Sequence, residues 1–215
     1  MVPLSGGSAI GCFISTGVLP QFHLSYKPFA SNEQHLQRYW PEVPLHYLDK
    51  DPVVDFRGVD YINSVCPCAG LSMRNDSTTM VNNSTANKWM LDSSIYVLSR
   101  VRPKVLWGEN APGLFSNNGA GLVQKMREIG QQFGYSFSLM KTSTELHGIP
   151  QRRVRTFYFF WNTPTVPMLN YQKRERRDLL SYLNEIPQDA TQQVRRVKVV
   201  CSNNSFIFLV CRTCL

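Results

Sequence analysis

Three short runs of residues in this chain hold the side chains that a nucleophilic addition to an electron-poor ring would need. The first is Val65-Cys66-Pro67-Cys68-Ala69-Gly70-Leu71-Ser72, the second is Glu109-Asn110, and the third is Gln151-Arg152-Arg153-Val154-Arg155. Pro67 fixes its own φ and restrains the preceding residues to extended geometry, so the turn presents Cys68 rather than burying it. A free thiol, with a pKa of about 8.5, is mostly protonated at neutral pH, and Cys68 attacks only as thiolate; Arg153 or Arg155 nearby would favour that form. A lone cysteine is otherwise an inert small hydrophobe, and the companion runs are what set this one apart. Glu109 follows the apolar run Val105-Leu106-Trp107-Gly108. A carboxyl partly desolvated there stays protonated and donates to a ring nitrogen, with Asn110 orienting it; a plain strand-end cap is the alternative.

Weaker signals accompany these. Ser5-Gly6-Gly7-Ser8-Ala9-Ile10-Gly11 can bring backbone close to a cofactor at a helix start, although glycines near a terminus usually just turn the chain. Glu33 can hold ribose hydroxyls if it ends a second strand, or serve as a helix-start carboxylate. The six cysteines are widely spaced, and reduced thiols are expected. Cys66-Pro67-Cys68 has no companion pair at zinc spacing, and Cys211 and Cys214 stand alone, so no metal site is predicted.

The elements that must position the three runs follow from periodicity. Residues 58–65 read as a strand that ends at the Cys-Pro-Cys turn, which puts Cys68 at the sheet edge where open α/β sheets bind ligands. Residues 75–87 are polar and read as a mobile loop. Leu91, Ile95 and Leu98 recur at helical spacing until Arg102-Pro103, and 104–107 reads as a strand. Leu122, Met126, Ile129 and Phe133 mark one face of a helix stopped by Gly134; strands at 135–140 and 154–161 follow. This alternation predicts the α/β class, a mostly parallel sheet with helices on both faces. A basic helix is expected at 171–183 and a strand at 194–200; the last fifteen residues match no functional pattern.

At 215 residues the chain fits one ordinary domain, or one domain and a fragment of a second. Its 43% hydrophobic and 18% charged residues are those of a globular protein, with no apolar run long enough to cross a bilayer. Without a basic and apolar leader, a cytoplasmic location is expected, and the Asn-x-Ser/Thr triplets at Asn75, Asn82, Asn83 and Asn203 read as by-products of composition. The net charge is +8, and residues 151–198 carry ten basic against four acidic side chains. Nucleic acid is the leading partner class, with a solvated basic face about equally consistent with charge alone.

Taken in order, Pro67-Cys68-x-x-x-Ser72, Glu109-Asn110 and Gln151-x-Arg153-x-Arg155, the last preceded by His147-Gly148-Ile149-Pro150, resemble the cytosine-5 DNA methyltransferase family over roughly residues 4 to 162. The resemblance implies a Rossmann-like, class I methyltransferase fold, S-adenosylmethionine as cofactor and DNA as partner, with the target cytosine flipped out of the stack so that C5 and C6 are reachable. It implies that Cys68 adds to C6, that Glu109 contacts N3 and the amino group, and that Arg155 with Arg153 holds the O2 side. Asn110 and Gln151 would brace the pocket, beside Pro67 and Ser72. In the cofactor site it points to Ser5, Gly6, Gly7 and Gly11 for the Gly-rich turn, Glu33 for ribose, Asp49 (or Asp51) for the adenine amine, and Leu71 as lining. The loop 72–87 is similar to the family's mobile catalytic loop.

The same resemblance divides the chain into a cofactor-binding and catalytic region at 1–162, a basic connection at 163–193 and an atypical tail at 194–215. The family's target-recognition region and two last motifs are not found after Trp161. The C-terminal part is therefore expected to be incomplete, replaced, or supplemented by a separate recognition subunit, and a cognate endonuclease is a further expected partner. The implied activity is DNA cytosine-5 methylation in a restriction, phage or self-marking role. Two alternatives stand beside it: a catalytically silent relative that binds DNA or cofactor, and an enzyme acting on RNA cytosine.

Overall fold

The computed structural model describes residues 14–25, 33, 34, 36, 38, 40–50, 56–71, 84–168 and 174–185. These fall into two units, one holding the described parts of 14–143 and 153–168, the other 144–152 and 174–185.

In the first unit, β1 (His23–Ser25) and β2 (Leu45–Tyr47) pair in parallel as a small two-stranded sheet. The larger sheet has four strands: β3 (Tyr61–Val65), β4 (Val105–Asn110), β5 (Ser136–Ser143) and β6 (Val154–Trp161), in the spatial order β3, β4, β6, β5. β3 and β4 are parallel, and β6 is antiparallel to both β4 and β5. Three of the four strands therefore run the same way, with β6 reversed between two of them, and the mixed α/β, mostly parallel architecture expected from the sequence is the one observed.

The alternation of strand side chains decides which face is core. Ile62 and Ser64, Leu106, Gly108 and Asn110, and Thr156, Tyr158 and Phe160 all point to one buried face. Against it lie α1 (Thr85–Tyr96) and α2 (Ala120–Phe133), which supply Met90, Leu122, Met126 and Ile129, while Val97, Leu98 and Val101 come from the turn after α1. Each fully buried Leu or Met contributes about 1.5–3 kcal/mol. Among the described residues both long helices sit on this face; the other carries Tyr61, Trp107, Phe157 and Phe159, with Trp107 tilted against Tyr61 and Phe157 and stacked on Phe159.

Local chemistry moves several boundaries from those expected. Gly58 adopts φ +78, so β3 begins only at Tyr61. The helix after the Cys-Pro-Cys turn begins at Thr85, inside the stretch read as loop, and residues 72–83 lie outside the described residues. Its buried stripe is Ala86, Asn87, Met90, Ser93 and Ser94, continuing into Val97 and Leu98; of the expected apolar positions Leu98 is buried and Leu91 packs against the core, whereas Ile95 is exposed. The face shifts because Ser93 and Ser94 satisfy their hydroxyls on the Trp89 and Met90 carbonyls and so bury without loss. A π-helical turn at Val97–Val101 then closes on Arg102, in the left-handed region at φ 53. Helix α2 ends as anticipated: Gly134 is left-handed at φ 80, Tyr135 N–H bonds the Gly130 carbonyl at 2.8 Å, and the Tyr135 hydroxyl reaches the Pro103 carbonyl at 2.8 Å.

In the second unit, Arg174 N–H bonds the Leu146 carbonyl at 2.9 Å, and Glu145 faces Arg176 at 3.5 Å and Arg152 at 4.0 Å. α3 (Leu179–Asn184) starts where the Asp178 carboxylate accepts from Ser181 N–H at 3.0 Å. The basic run before Asp178 is therefore not helical in its described part, contrary to the expectation for 171–183, because the cap fixes the start. The strand expected at 194–200 lies outside the described residues. Among the described residues no helix is long and apolar enough to cross a membrane.

Candidate active site

β3 and β4 run side by side with Val65 opposite Glu109, so the chain leaving β3 and the end of β4 emerge at the same sheet edge. Beyond Val65 the chain buries Cys66, passes Pro67 and exposes Cys68. The thiol predicted to be presented is the accessible one of the two.

Three contacts fix the turn that carries it. Leu71 N–H bonds the Cys68 carbonyl at 2.9 Å, and the Leu71 side chain is buried, anchoring the far side of the turn. A Cβ on Gly70 would lie 2.5 Å from the Ser84 side chain and 2.9 Å from Asn87 Nδ2, so only glycine lets the turn lie against the start of α1. A Cβ on Gly113 would collide with the Leu71 carbonyl oxygen. Gly113 belongs to a 3-10 turn at Pro112–Phe115, set by Asn110, whose side-chain carbonyl accepts from Ala111 N–H at 2.8 Å and whose amide reaches Met90 Sδ at 3.6 Å. Asn110 is fully buried; it braces the site from beneath.

Glu109 is not an isolated carboxyl. Its Oε1 takes Nε of Arg155 at 2.6 Å, with each side chain 22% exposed, while Arg155 Nη1 also donates to the Val154 carbonyl at 2.8 Å. The antiparallel register explains the meeting: Asn110 lies opposite Thr156 and Glu109 opposite Phe157, and Arg155 continues on the side of the sheet that carries Glu109. The structure thus brings Glu109 and Arg155 into contact at the edge where Cys68 is exposed. Arg153 is exposed just before β6. Gln151 belongs to the second unit, where Thr144 Oγ1 donates to its carbonyl.

Of the residues assigned to the cofactor, Ser5, Gly6, Gly7 and Gly11 lie outside the described residues, as do Ser72 and Asp51. Glu33 is in a helical segment and does not end β1, so the condition for a strand-end ribose ligand is not met. Its carboxylate accepts from the Tyr47 hydroxyl, and Asp49 follows directly after β2. Partial burial, the Glu33 hydrogen bond and the charges of Glu33 and Asp49 push the Tyr47 phenol up to about 12. Two carboxylates therefore gather around one phenol at the C-terminal end of β2, an acceptor set that suits hydroxyl and amine groups.

A cleft of about 640 Å³, lined by Thr16 and residues 18–23 and 58–63, opens at the other end of β3 from Cys68. None of the residues assigned to catalysis borders it.

The sequence matches the family described as C-5 cytosine-specific DNA methylase over residues 29–204. The chain belongs to that family. The match takes in the stretch after Trp161 in which no motif was recognised, and begins after the Gly-rich turn. No curated protein matches the sequence. Among solved structures, the Entamoeba histolytica methyltransferase EhMeth superposes with a TM-score of 0.56 at 17% identity, covering 79% of this chain and 53% of its own. A putative DNA modification methyltransferase encoded in an E. coli prophage gives 0.50 at 18% identity, covering 74% and 43%. A mutant of the DNMT2 of Spodoptera frugiperda gives 0.50 at 14%, covering 81% and 53%. The chain thus spans about half the length of these structures, and the likeness is one of fold.

Gly70, Gly113, Gly108 and Cys66 were missed by motif reading as parts of the site. A signal existed for one of them: Gly108 interrupts an otherwise large-residue strand, and a Cβ there would collide with the Tyr158 ring.

Proposed function

We propose that this methylase methylates C5 of cytosine in DNA, with Cys68 as the covalent nucleophile. The observation that carries the reading is the exposed Cys68 at the sheet edge where Glu109 and Arg155 form their 2.6 Å ion pair. Family membership gives the pairing its chemical meaning.

The Cys68 thiolate forms a bond to C6 of a flipped cytosine, which raises electron density at C5. Glu109, held by Arg155, takes the N3 and amino edge of the base, and the Arg155 guanidinium offsets negative charge that develops on the ring. S-adenosylmethionine, when bound, would supply the methyl group to C5 as its sulfonium–methyl bond breaks, leaving as S-adenosylhomocysteine. Afterwards the C5 proton leaves to a base, the electron pair re-forms the C5–C6 double bond, and the Cys68–C6 bond breaks, returning the thiolate. Asn110 and Gly113 keep the Leu71 end of the turn fixed while this occurs. Glu33 and Asp49 are the carboxylates suited to the nucleoside part of the cofactor, and Leu71 to its apolar lining. The glycines at 6, 7 and 11 with Ser5 are assigned to the same cofactor, and Arg153, Gln151, Pro67 and Ser72 to the substrate side. The surplus of basic residues suits the phosphate backbone.

Transfer of labelled methyl from S-adenosylmethionine to cytosine-containing DNA, with RNA in parallel and Cys68→Ser as control, tests this. Label on DNA C5 from wild type and none from the variant is the expected result. Label only on RNA changes the substrate class, and label on neither makes the protein a silent relative.

A further inference from the structure

A buried polar chain runs beneath the catalytic turn. The Tyr158 hydroxyl donates to Ser64 Oγ at 3.1 Å, Ser64 Oγ lies 3.5 Å from Cys66 Sγ, and Cys66 Sγ lies 3.8 Å from Ser93 Oγ. Ser93 in turn places its single proton on helix carbonyls, that of Trp89 at 2.6 Å and of Met90 at 3.2 Å. That end point fixes the direction of the whole chain. With its proton committed, Ser93 accepts from the Cys66 thiol; Cys66 then accepts from Ser64, and Ser64 from Tyr158. Cys66, Ser64, Ser93 and Tyr158 are all buried, and Tyr158 has room only because position 108 is glycine. Burial pushes both the Cys66 thiol and the Tyr158 phenol up, so each stays neutral and able to donate.

We propose that Cys66 is a positioning residue, a neutral thiol whose directed hydrogen bonds between β3 and α1 hold Cys68, two residues later across Pro67, at its attacking position. This rests on the reading of Cys68 as nucleophile. Four parts of the fold meet in the chain: β6 through Tyr158, β3 through Ser64, the turn through Cys66, and α1 through Ser93. Inside a protein such polar chains act as a unit, and loss of one member is felt at the others. The Cys-x-Cys spacing thus divides labour between an inert buried thiol and a reactive exposed one, which accounts for a second cysteine that no metal or disulfide explains among the described residues.

The test compares Cys66→Ala, which leaves the chain broken, with Cys66→Ser, which restores a group that both donates and accepts. Two readouts are taken on each full-length protein: the single-turnover rate of methyl transfer to DNA, alongside the DNA dissociation constant, and the rate at which iodoacetamide alkylates Cys68 across pH, followed by peptide mass spectrometry. The expected result is that Cys66→Ala slows transfer by about tenfold or more at unchanged DNA affinity and alters Cys68 alkylation at least about threefold, because small displacements of a reacting atom cost rate out of proportion. Cys66→Ser is expected within about threefold of wild type in both. Equal behaviour of the two variants, whether both fast or both slow, overturns the proposal. Should wild type transfer no methyl group while the alkylation pattern follows the expectation, the positioning chain stands and the catalytic reading falls; the reverse pattern removes the chain and leaves the enzyme.

Discussion

Replacing Gly113 by alanine tests whether the 3-10 turn after Asn110 sets the position of Cys68, the proposed nucleophile. The new Cβ would lie within 3.0 Å of the Leu71 carbonyl oxygen and 3.1 Å from its carbon. Both obstacles are backbone atoms, so no rotamer change relieves them; either the 112–115 turn or the Cys68–Leu71 turn must move by a sizeable fraction of an ångström. Overpacking of this kind costs about 1–3 kcal/mol, which for a chain of this size lowers the melting temperature by about 2–12 °C. The effect on reaction is larger, because a displacement approaching 1 Å at a reacting group costs about a hundredfold. The control is Gly58→Ala: its left-handed φ of 78 makes alanine strained by about 1–2 kcal/mol, but nothing lies within 4 Å and the position borders the distant cleft. Thermal unfolding and single-turnover transfer measured on both variants are expected to show similar destabilisation but loss of rate only for Gly113→Ala. If Gly113→Ala transfers methyl groups within about twofold of wild type, the turn does not position Cys68 and the reasoning fails.

The Glu109–Arg155 pair is expected to couple by about 0.5–3 kcal/mol in a double-mutant cycle with Glu109→Gln and Arg155→Ala, read by denaturant unfolding; zero coupling would mean that solvent screens the contact. His23 is buried against Trp40, and desolvation lowers its pKa from 6.5 to about 4. The unfolded imidazole therefore takes up its proton near 6.5 and the folded one only near 4, so stability is intact above about 6.5 and is lost as pH falls toward 4, by about 3 kcal/mol in the limit. His23→Phe keeps the ring stack and is expected to flatten that decline in unfolding curves between pH 7 and 4; an unchanged slope would assign the acid sensitivity elsewhere.

The larger sheet, and the edge at which Cys68 and Glu109 emerge, were legible because each of its strands has one plain signal, whereas the short β1 and β2 carried none. Val154–Trp161 is rich in β-branched and aromatic residues, broken only by Arg155, and forms β6 with the bounds the sequence suggested. The α2 face and its Gly134 stop were equally readable, since Leu122, Met126 and Ile129 recur at helical spacing before a residue suited to φ 80. Helix α1 and its end before Pro103 were readable, but its N-terminal start and its polar stripe were not, because the burial of Asn87, Ser93 and Ser94 depends on hydrogen bonds that no hydrophobic pattern encodes. The reversed direction of β6 was equally hidden, because pairing direction depends on contacts distant in sequence. At the site, Cys68, Glu109 and Arg155 were visible as motif residues. The contacts that fix them were not: Gly113 against Leu71 and Cys66 against Ser93 join residues far apart in the chain. Glu33 sits in a helical segment, as its helix-start alternative had it, and its contact with Tyr47, 14 residues on, was hidden from motif reading.

The central claim is covalent, and mass can weigh it. DNA carrying 5-fluorocytosine lacks the C5 proton whose loss releases the enzyme, so in the presence of S-adenosylmethionine the account predicts a denaturation-resistant complex whose added mass maps to the peptide containing Cys68, and no complex from Cys68→Ser. A complex attached through another residue, or DNA methylated by wild type and Cys68→Ser alike, would contradict it.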